Sequence, residues 1–219
     1  MPRMARLVVP DYPHHITQRG SRKQQTFFGD DDYLEYLRLL HENQLKADVD
    51  IWAYCLMPNH VHLVAVPKNP DGLSKLLQVT HHRYARRVNS RYGWRGHLWQ
   101  ERFHSFVMDE RHLLAAVRYV ELNPVRADLC ARADQWRWSS VHANLHGRAD
   151  PIVNPAPMSA LVSDWAAYLS EPESGPSIQD IRRHTATGRP AGDKSFVSEL
   201  ETLLNRQIRK MKPGPTPRN

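Results

Sequence analysis

Apolar and polar positions along the first 150 residues switch repeatedly between a period near two and a period near 3.6. Residues 14–18 follow Pro13 and close at Gly20, which reads as a short strand. Asp30, Asp31 and Asp32 then precede Tyr33, Leu34, Leu37, Leu40 and Leu45, a spacing that predicts an amphipathic helix with acids at its positive end. Residues 49–57 are rich in β-formers and aromatics, and Pro58-Asn59 separates them from a second apolar run at 60–66 closed by Pro67. So short a break predicts a hairpin. From Leu73 the positions Leu76, Leu77, Val79, Tyr84 and Val88 recur at helical spacing. A loop punctuated by Gly93 and Gly96 leads to a strand at 103–108, and Asp109-Glu110 opens a helix carrying Leu113, Leu114, Val117, Val120 and Leu122. That helix is expected to end near Asn123, because Pro124 disfavours a helical conformation in the residue before it. The order β-α-β-β-α-β-α predicts an α+β fold: a ferredoxin-like antiparallel sheet with helices on one face, plus a C-terminal extension.

Beyond Arg148 the texture changes. Six prolines fall between Pro151 and Pro190, and residues 171–176 read as a linker. The expected division is a first unit over 1–148, an extension over 149–192, and a last piece over 193–219. In that last piece Phe196, Leu200, Leu203 and Leu204 mark a short helix over 193–209, ahead of a basic, proline-broken tail expected to be disordered without its partner. No segment approaches the roughly 20 apolar residues that span a bilayer, and residues 1–9 lack the apolar stretch of a signal peptide. Cys55 and Cys130 are too few for a disulfide framework and lack metal-ligand spacing. The expectation is a cytoplasmic protein of a reducing compartment, with no membrane partner.

Charge sharpens the picture. The net charge is +7, and it lies in blocks. Residues 1–23 hold five Lys/Arg against one acid, and residues 81–111 hold seven arginines against three acids, whereas residues 24–80 hold eight acids and four bases. Blocks of this kind favour a polyanionic partner, with a merely solvated basic face as the plainer alternative.

Few residues offer chemistry. His60-Val61-His62 places two imidazoles on one face of a strand, where they are spaced to share a metal ion, although thirteen histidines also produce such a pair by chance. Tyr119 and Asn123 stand four apart on a helix and share a face, offering a phenol nucleophile beside an amide oxygen. The residues alone favour a plainer reading of that pair, a core-edge tyrosine and a helix-capping asparagine. His14 and His15 are strand neighbours facing opposite sides, so both cannot serve one site. Trp94, Trp99 and Phe103, interleaved with Arg95 and Arg102, have the composition for stacking unpaired bases while arginines hold phosphates. Trp136-Arg137-Trp138 reads as a core anchor. The motifs of zinc proteases, P-loop ATPases and serine hydrolases are absent from the sequence.

Several stretches together resemble a known family. The segment from Met57 through His60-Val61-His62 to Val64 resembles the H-hydrophobic-H motif of the single-tyrosine (HUH) transposases. The segment from Tyr119 through Asn123-Pro124 to Ala127 resembles their nucleophile helix. His15 to Gly20, Leu98 to Phe103 and Trp138-Ser139-Ser140 match further family stretches in the right order, covering most of residues 10–145. Within that superfamily the chain is similar to REP-associated tyrosine transposases, including Thr187-Gly188-Arg189-Pro190-Ala191-Gly192 and Phe196 of the extension. Glu101 departs from the resemblance, which gives glycine there.

The resemblance implies that residues 1–148 form the catalytic domain and that Tyr119 is the nucleophile. It implies a divalent ion, Mg²⁺ or Mn²⁺, on His60, His62 and Asn123, a 5′-phosphotyrosine intermediate, and strand rejoining without ATP. The implied partner is a DNA hairpin with flanking single strand, and the implied place is the nucleoid. The implied DNA contacts are Arg19, Arg22, His82, Arg83, Arg86, Arg87, Arg95, Trp99, Arg102 and Arg126. A monomer and a homodimer both fit. Two rivals stay open: a catalytically silent hairpin DNA- or RNA-binding regulator, and a metal-dependent phosphodiesterase in which water attacks.

Overall fold

The computed structural model describes residues 6–171 and 175–209, so half of the expected linker and the tail beyond residue 209 lie outside the described residues. The first unit runs β1 (His14–Arg19), α1 (Asp30–Ala47), β2 (Val49–Met57), β3 (His60–Pro67), α2 (Gly72–Tyr92), β4 (His104–Val107) and α3 (Glu110–Glu121), the order expected from the pattern. The four strands form one antiparallel sheet in the order β2-β3-β1-β4.

Both faces of this sheet are buried, which explains why β3 reads as nearly continuous apolar sequence. On one face Ile16, Tyr54, Leu56, Val61, Leu63 and Ala65 pack against Tyr36, Leu39 and Leu40 of α1 and Leu73, Leu76, Leu77 and Tyr84 of α2. The residues between them in sequence point the other way. Ala53, Cys55, Met57, Val64 and Phe106 meet Leu113, Ala116, Val117 and Val120 of α3 on that opposite face. The expectation of helices on one face therefore holds for α1 and α2, while α3 lies on the other. Its apolar stripe needs a partner surface, and the first face is already covered by two long helices. With about 1.5–3 kcal/mol for each fully buried aliphatic side chain, Val117 and Val120 fix how α3 is rotated over the sheet.

The sheet edges are capped rather than open, which prevents unwanted strand pairing. Along β2, Leu56 N–H donates to the Trp138 carbonyl and Ser140 N–H to the Tyr54 carbonyl. Trp138 stacks on Tyr33 at 4.5 Å, so the core-anchor reading of this segment stands. Along β4, Ala191 N–H donates to the Val107 carbonyl and Asp109 N–H to the Ala191 carbonyl.

After α3, a one-residue joint at Leu122 leads into the short α4 (Asn123–Arg126). Pro124 has no N–H to continue the α3 ladder, which is the physical reason for the break. The later chain holds α5 (Val141–His146), α6 (Ala156–Leu161), α7 (Trp165–Ser170), α8 (Ile178–Thr187) and α9 (Lys194–Leu203). The helix expected over 193–209 is α9. No periodicity announced α6 to α8, since each buries only one residue fully. Among the described residues no helix is long and apolar enough to cross a membrane.

Candidate active site

The antiparallel register decides which side chains share the α3 face. His62 is opposite Thr17 on β1 and Cys55 on β2, and His60 is opposite Arg19 and Met57. Thr17 is in turn opposite His104 on β4. All of these project towards α3, and their open end forms a cleft of about 610 Å³. His60, His62, Tyr119, Asn123 and Arg126 line it together with Thr17, Arg19, Gln100, Glu101 and His104, and Arg182 and Thr185 of α8 form its outer wall. The Tyr119 ring stands edge-on to His62 at 5.5 Å and to His15 at 6.0 Å between centroids. The Arg126 guanidinium lies 4.5 Å from the Tyr119 ring centre and donates to the Tyr119 carbonyl.

Each imidazole of the pair is oriented by a second residue. His60 Nδ1 lies 2.6 Å from Asn59 Oδ1. The other end of that amide, Nδ2, donates to the Lys23 carbonyl at 3.0 Å, which fixes the amide orientation. The His60 proton therefore sits on Nδ1 and the Nε2 lone pair is left for another partner. His62 Nδ1 lies 3.1 Å from His15 Nε2, and the two rings stack at 5.3 Å. His62 Nε2 is buried with no hydrogen-bond partner, and so is Nδ2 of Asn123.

Electrostatics keeps these rings neutral. Burial holds His15 down to about 3. Burial, with Arg19 adding to it, does the same at His60. His62 is pushed well below the ordinary imidazole range by burial first and then by His60, His15, Arg19 and Arg126. A neutral imidazole is the form that binds a cation.

These observations test whether a divalent ion fits. A buried ring nitrogen without a partner costs about 1–3 kcal/mol, and a cation at His62 Nε2 removes that cost. Turning the Asn123 amide by 180° puts its oxygen where the unpartnered nitrogen stands. Among the described residues no three His, Cys, Asp or Glu side chains converge as ligands, so the donor set is two imidazoles and an amide. That set suits Mn²⁺ readily and Mg²⁺ through added oxygen ligands. The residues fit the ion.

The basic candidates separate into groups. Arg19 and Arg126 line the cleft itself. His82, Arg86 and Arg102 line a larger hollow of about 1030 Å³ between α2 and residues 96–103, which meets the cleft at Gln18 and Glu101. Arg22 and Arg102 line a neighbouring depression with His97. Arg83 pairs with Glu42 at 2.9 Å, and Arg87 and Arg95 are exposed away from these hollows. Trp99 is only 8% exposed, packs against His81, Tyr84 and Tyr36, and donates to the His81 carbonyl. Its indole is a core element, leaving Tyr92 and Trp94, stacked at 4.8 Å, as the exposed aromatic pair of that region.

His15, Thr17, Gln100, His104, Arg182 and Thr185 were not anticipated at this site. The sequence held a signal for His15: only one member of the His14-His15 pair can face β3's histidines, and the register selects His15. His14 instead accepts from Val9 N–H on the opposite face. Arg182 and Thr185 had no signal, because α8 reaches the cleft by tertiary packing alone.

No curated protein matches the chain by sequence. A solved structure of a REP-associated tyrosine transposase bound to a REP hairpin shares the fold at a TM-score of 0.58, with 18% identity over 81% of this chain and 99% of that one. A crystal structure of a candidate transposase from Deinococcus radiodurans R1 aligns at a TM-score of 0.40, with 19% identity over 55% of this chain and 96% of that one. The family model for IS200-like transposases matches residues 9–123, just over half of the chain. The histidine strand and the helix carrying Tyr119 both lie inside that match, and the chain belongs to the IS200-like transposase family.

Proposed function

We propose that this transposase cuts and rejoins single-stranded DNA beside a hairpin, with Tyr119 as nucleophile. The observation that carries this reading is the meeting of Tyr119, His60, His62 and Asn123 in one basic cleft where the His62 Nε2 atom has no partner. Arg126 stacks on the Tyr119 ring, and Arg19 and Arg182 line the same cleft, where the three guanidinium groups favour an anionic phosphate. His60, His62 and Asn123 would hold a divalent ion, Mg²⁺ or Mn²⁺, which would polarise a phosphate oxygen and offset charge developing during transfer. Asn59 and His15 engage the two Nδ1 atoms, which leaves each Nε2 for another partner. The Tyr119 oxygen attacks phosphorus, giving a 5′-phosphotyrosine and a free 3′-hydroxyl. The phosphodiester energy is kept in that link, so a 3′-hydroxyl rejoins strands without ATP. The hollow lined by His82, Arg86 and Arg102 is positioned to grip the backbone of the hairpin, a sequence-independent role for basic side chains.

The test is incubation of end-labelled hairpin DNA carrying single-stranded flanks with Mn²⁺, followed by denaturing gels. A covalent adduct that is absent with Tyr119→Phe is the expected outcome. Cleavage that survives the substitution indicates attack by water, and binding without cleavage by the unaltered protein indicates a regulator.

A further inference from the structure

Cutting a phosphodiester with release of a 3′-hydroxyl requires a proton for the leaving oxygen, and neither Tyr119 nor the ion ligands supply it. Among the described residues lining the cleft, Arg19, Arg126 and Arg182 are guanidinium groups that do not give up protons. His60 and His62 are committed to the ion. That leaves one proton-transfer pair in the cleft: His104, whose Nε2 lies 3.2 Å from Glu101 Oε1. We propose that His104, oriented by Glu101, is the general acid that protonates the departing 3′-oxygen; this rests on the Tyr119 reading above.

Placement supports it. Tyr119 reaches the cleft from α3, which packs mainly over β2 and β3, whereas His104 stands on β4, the far edge of the sheet beneath α8. The Tyr119 ring meets His62 and His15 edge-on, and Thr17 of β1 separates His62 from His104. Two strand spacings, about 10 Å, separate the backbones of His62 and His104 across Thr17. In-line transfer places the entering and leaving oxygens on opposite sides of phosphorus, and this cleft is lined by both the nucleophile and the His104–Glu101 pair. Glu101 also occupies backbone that favours glycine: its φ is 47°. A non-glycine residue there costs about 1 kcal/mol or more, and such strain is typically retained where the side chain has a task.

The Tyr119 Oη–P bond forms and the P–O3′ bond breaks, with the phenolic proton passing to solvent. The imidazolium of His104 gives its Nδ1 proton to the 3′-oxygen, while Nε2–H stays on the Glu101 carboxylate. In rejoining, neutral Nδ1 takes the proton from the incoming 3′-hydroxyl. Carboxylate and imidazole thus act as orienting group and proton carrier.

The experiment compares two hairpin substrates in Mn²⁺, one with the natural 3′-oxygen at the cut and one with a bridging 3′-sulfur that leaves without a proton. His104→Ala is expected to slow adduct formation on the oxygen substrate about a hundredfold or more while leaving the sulfur substrate within a few fold of the unaltered protein. Glu101→Gly relieves the strained backbone and keeps the fold, and should give a smaller loss confined to the oxygen substrate. Hairpin affinity without metal serves as the folding control. Equal slowing of both substrates, or no slowing of either, overturns the proposal while leaving the Tyr119 reading intact. Absence of any adduct with the unaltered protein overturns both.

Discussion

Glu121 is a fully buried carboxylate two residues beyond Tyr119, and it makes folding stability depend on pH in a direction opposite to most carboxylates. Its oxygens accept from Ser140 Oγ at 2.9 Å, Asn144 Nδ2 at 2.7 Å and Trp165 Nε1 at 2.7 Å, tying α5 and α7 to the helix that carries Tyr119. Three donors favour the ionised form, but burial outweighs them and the carboxyl is pushed up from 4.5 to about 7. The folded state therefore holds this proton in a pH range where the unfolded chain has released it. A raised folded-state value contributes stability that is full below pH 4.5 and is lost as pH rises through about 7. Linkage makes this loss about 2.5 kcal/mol between pH 5 and pH 8, using ~1.4 kcal/mol per pKa unit. Glu121→Gln removes the ionisation. The amide also leaves one of the three donors poorly matched, an offset of about 1–3 kcal/mol that does not vary with pH. Urea denaturation followed by circular dichroism at several pH values isolates the effect as the difference between the two proteins. That difference should shift by about 2.5 kcal/mol in favour of the variant from pH 5 to pH 8. Parallel stability curves would refute the reasoning.

Four other substitutions probe the cleft, the neighbouring hollow and the turn after β1. His15→Phe keeps a ring beside His62 but removes its nitrogen partner; Mn²⁺ affinity by calorimetry should fall about 10–100-fold with metal-free hairpin affinity unchanged, and an unaltered Mn²⁺ affinity counts against the orienting role. Arg86→Ala and Arg102→Ala should each reduce the slope of log K against log salt for hairpin binding by about one, measured by fluorescence anisotropy; an unchanged slope removes the hollow between α2 and residues 96–103 from the DNA path. Gly20→Ala puts a Cβ 2.4 Å from the Gln24 carbonyl oxygen and 2.7 Å from Thr26 Cγ2; it should cost about 1–3 kcal/mol in urea denaturation, and a neutral effect would show that the turn after β1 yields easily.

The elements that were legible in the sequence are those whose burial is periodic. Tyr33, Leu40, Leu76 and Tyr84 are buried because α1 and α2 each cover the sheet with a single stripe, whereas Leu34, Leu45 and Val79, expected in the same stripes, stand exposed. The strand carrying His60 and His62 was legible too, although its two buried faces hid which helix each side meets. What the pattern could not carry was register. Thr17 and His104 join the cleft, and His15 backs His62 from beneath it, only because β1 pairs with both β3 and β4 in one particular alignment. Trp99 has the composition of a base-stacking site, a tryptophan among arginines, but most of its indole packs against Tyr36, His81 and Tyr84, with only an edge reaching the hollow beside α2. Glu101 showed as an irregularity in the sequence, and its left-handed backbone gives the physical reason glycine suits that position.

The central claim is that Tyr119 becomes covalently joined to DNA. The direct measurement is mass spectrometry of the protein after reaction with hairpin DNA and Mn²⁺, with nuclease trimming and trypsin digestion. The account predicts a nucleotide adduct on the peptide spanning residues 119–126, where Tyr119 is the single tyrosine. A nucleotide on another residue, or cleaved DNA with no protein-linked nucleotide, would contradict it.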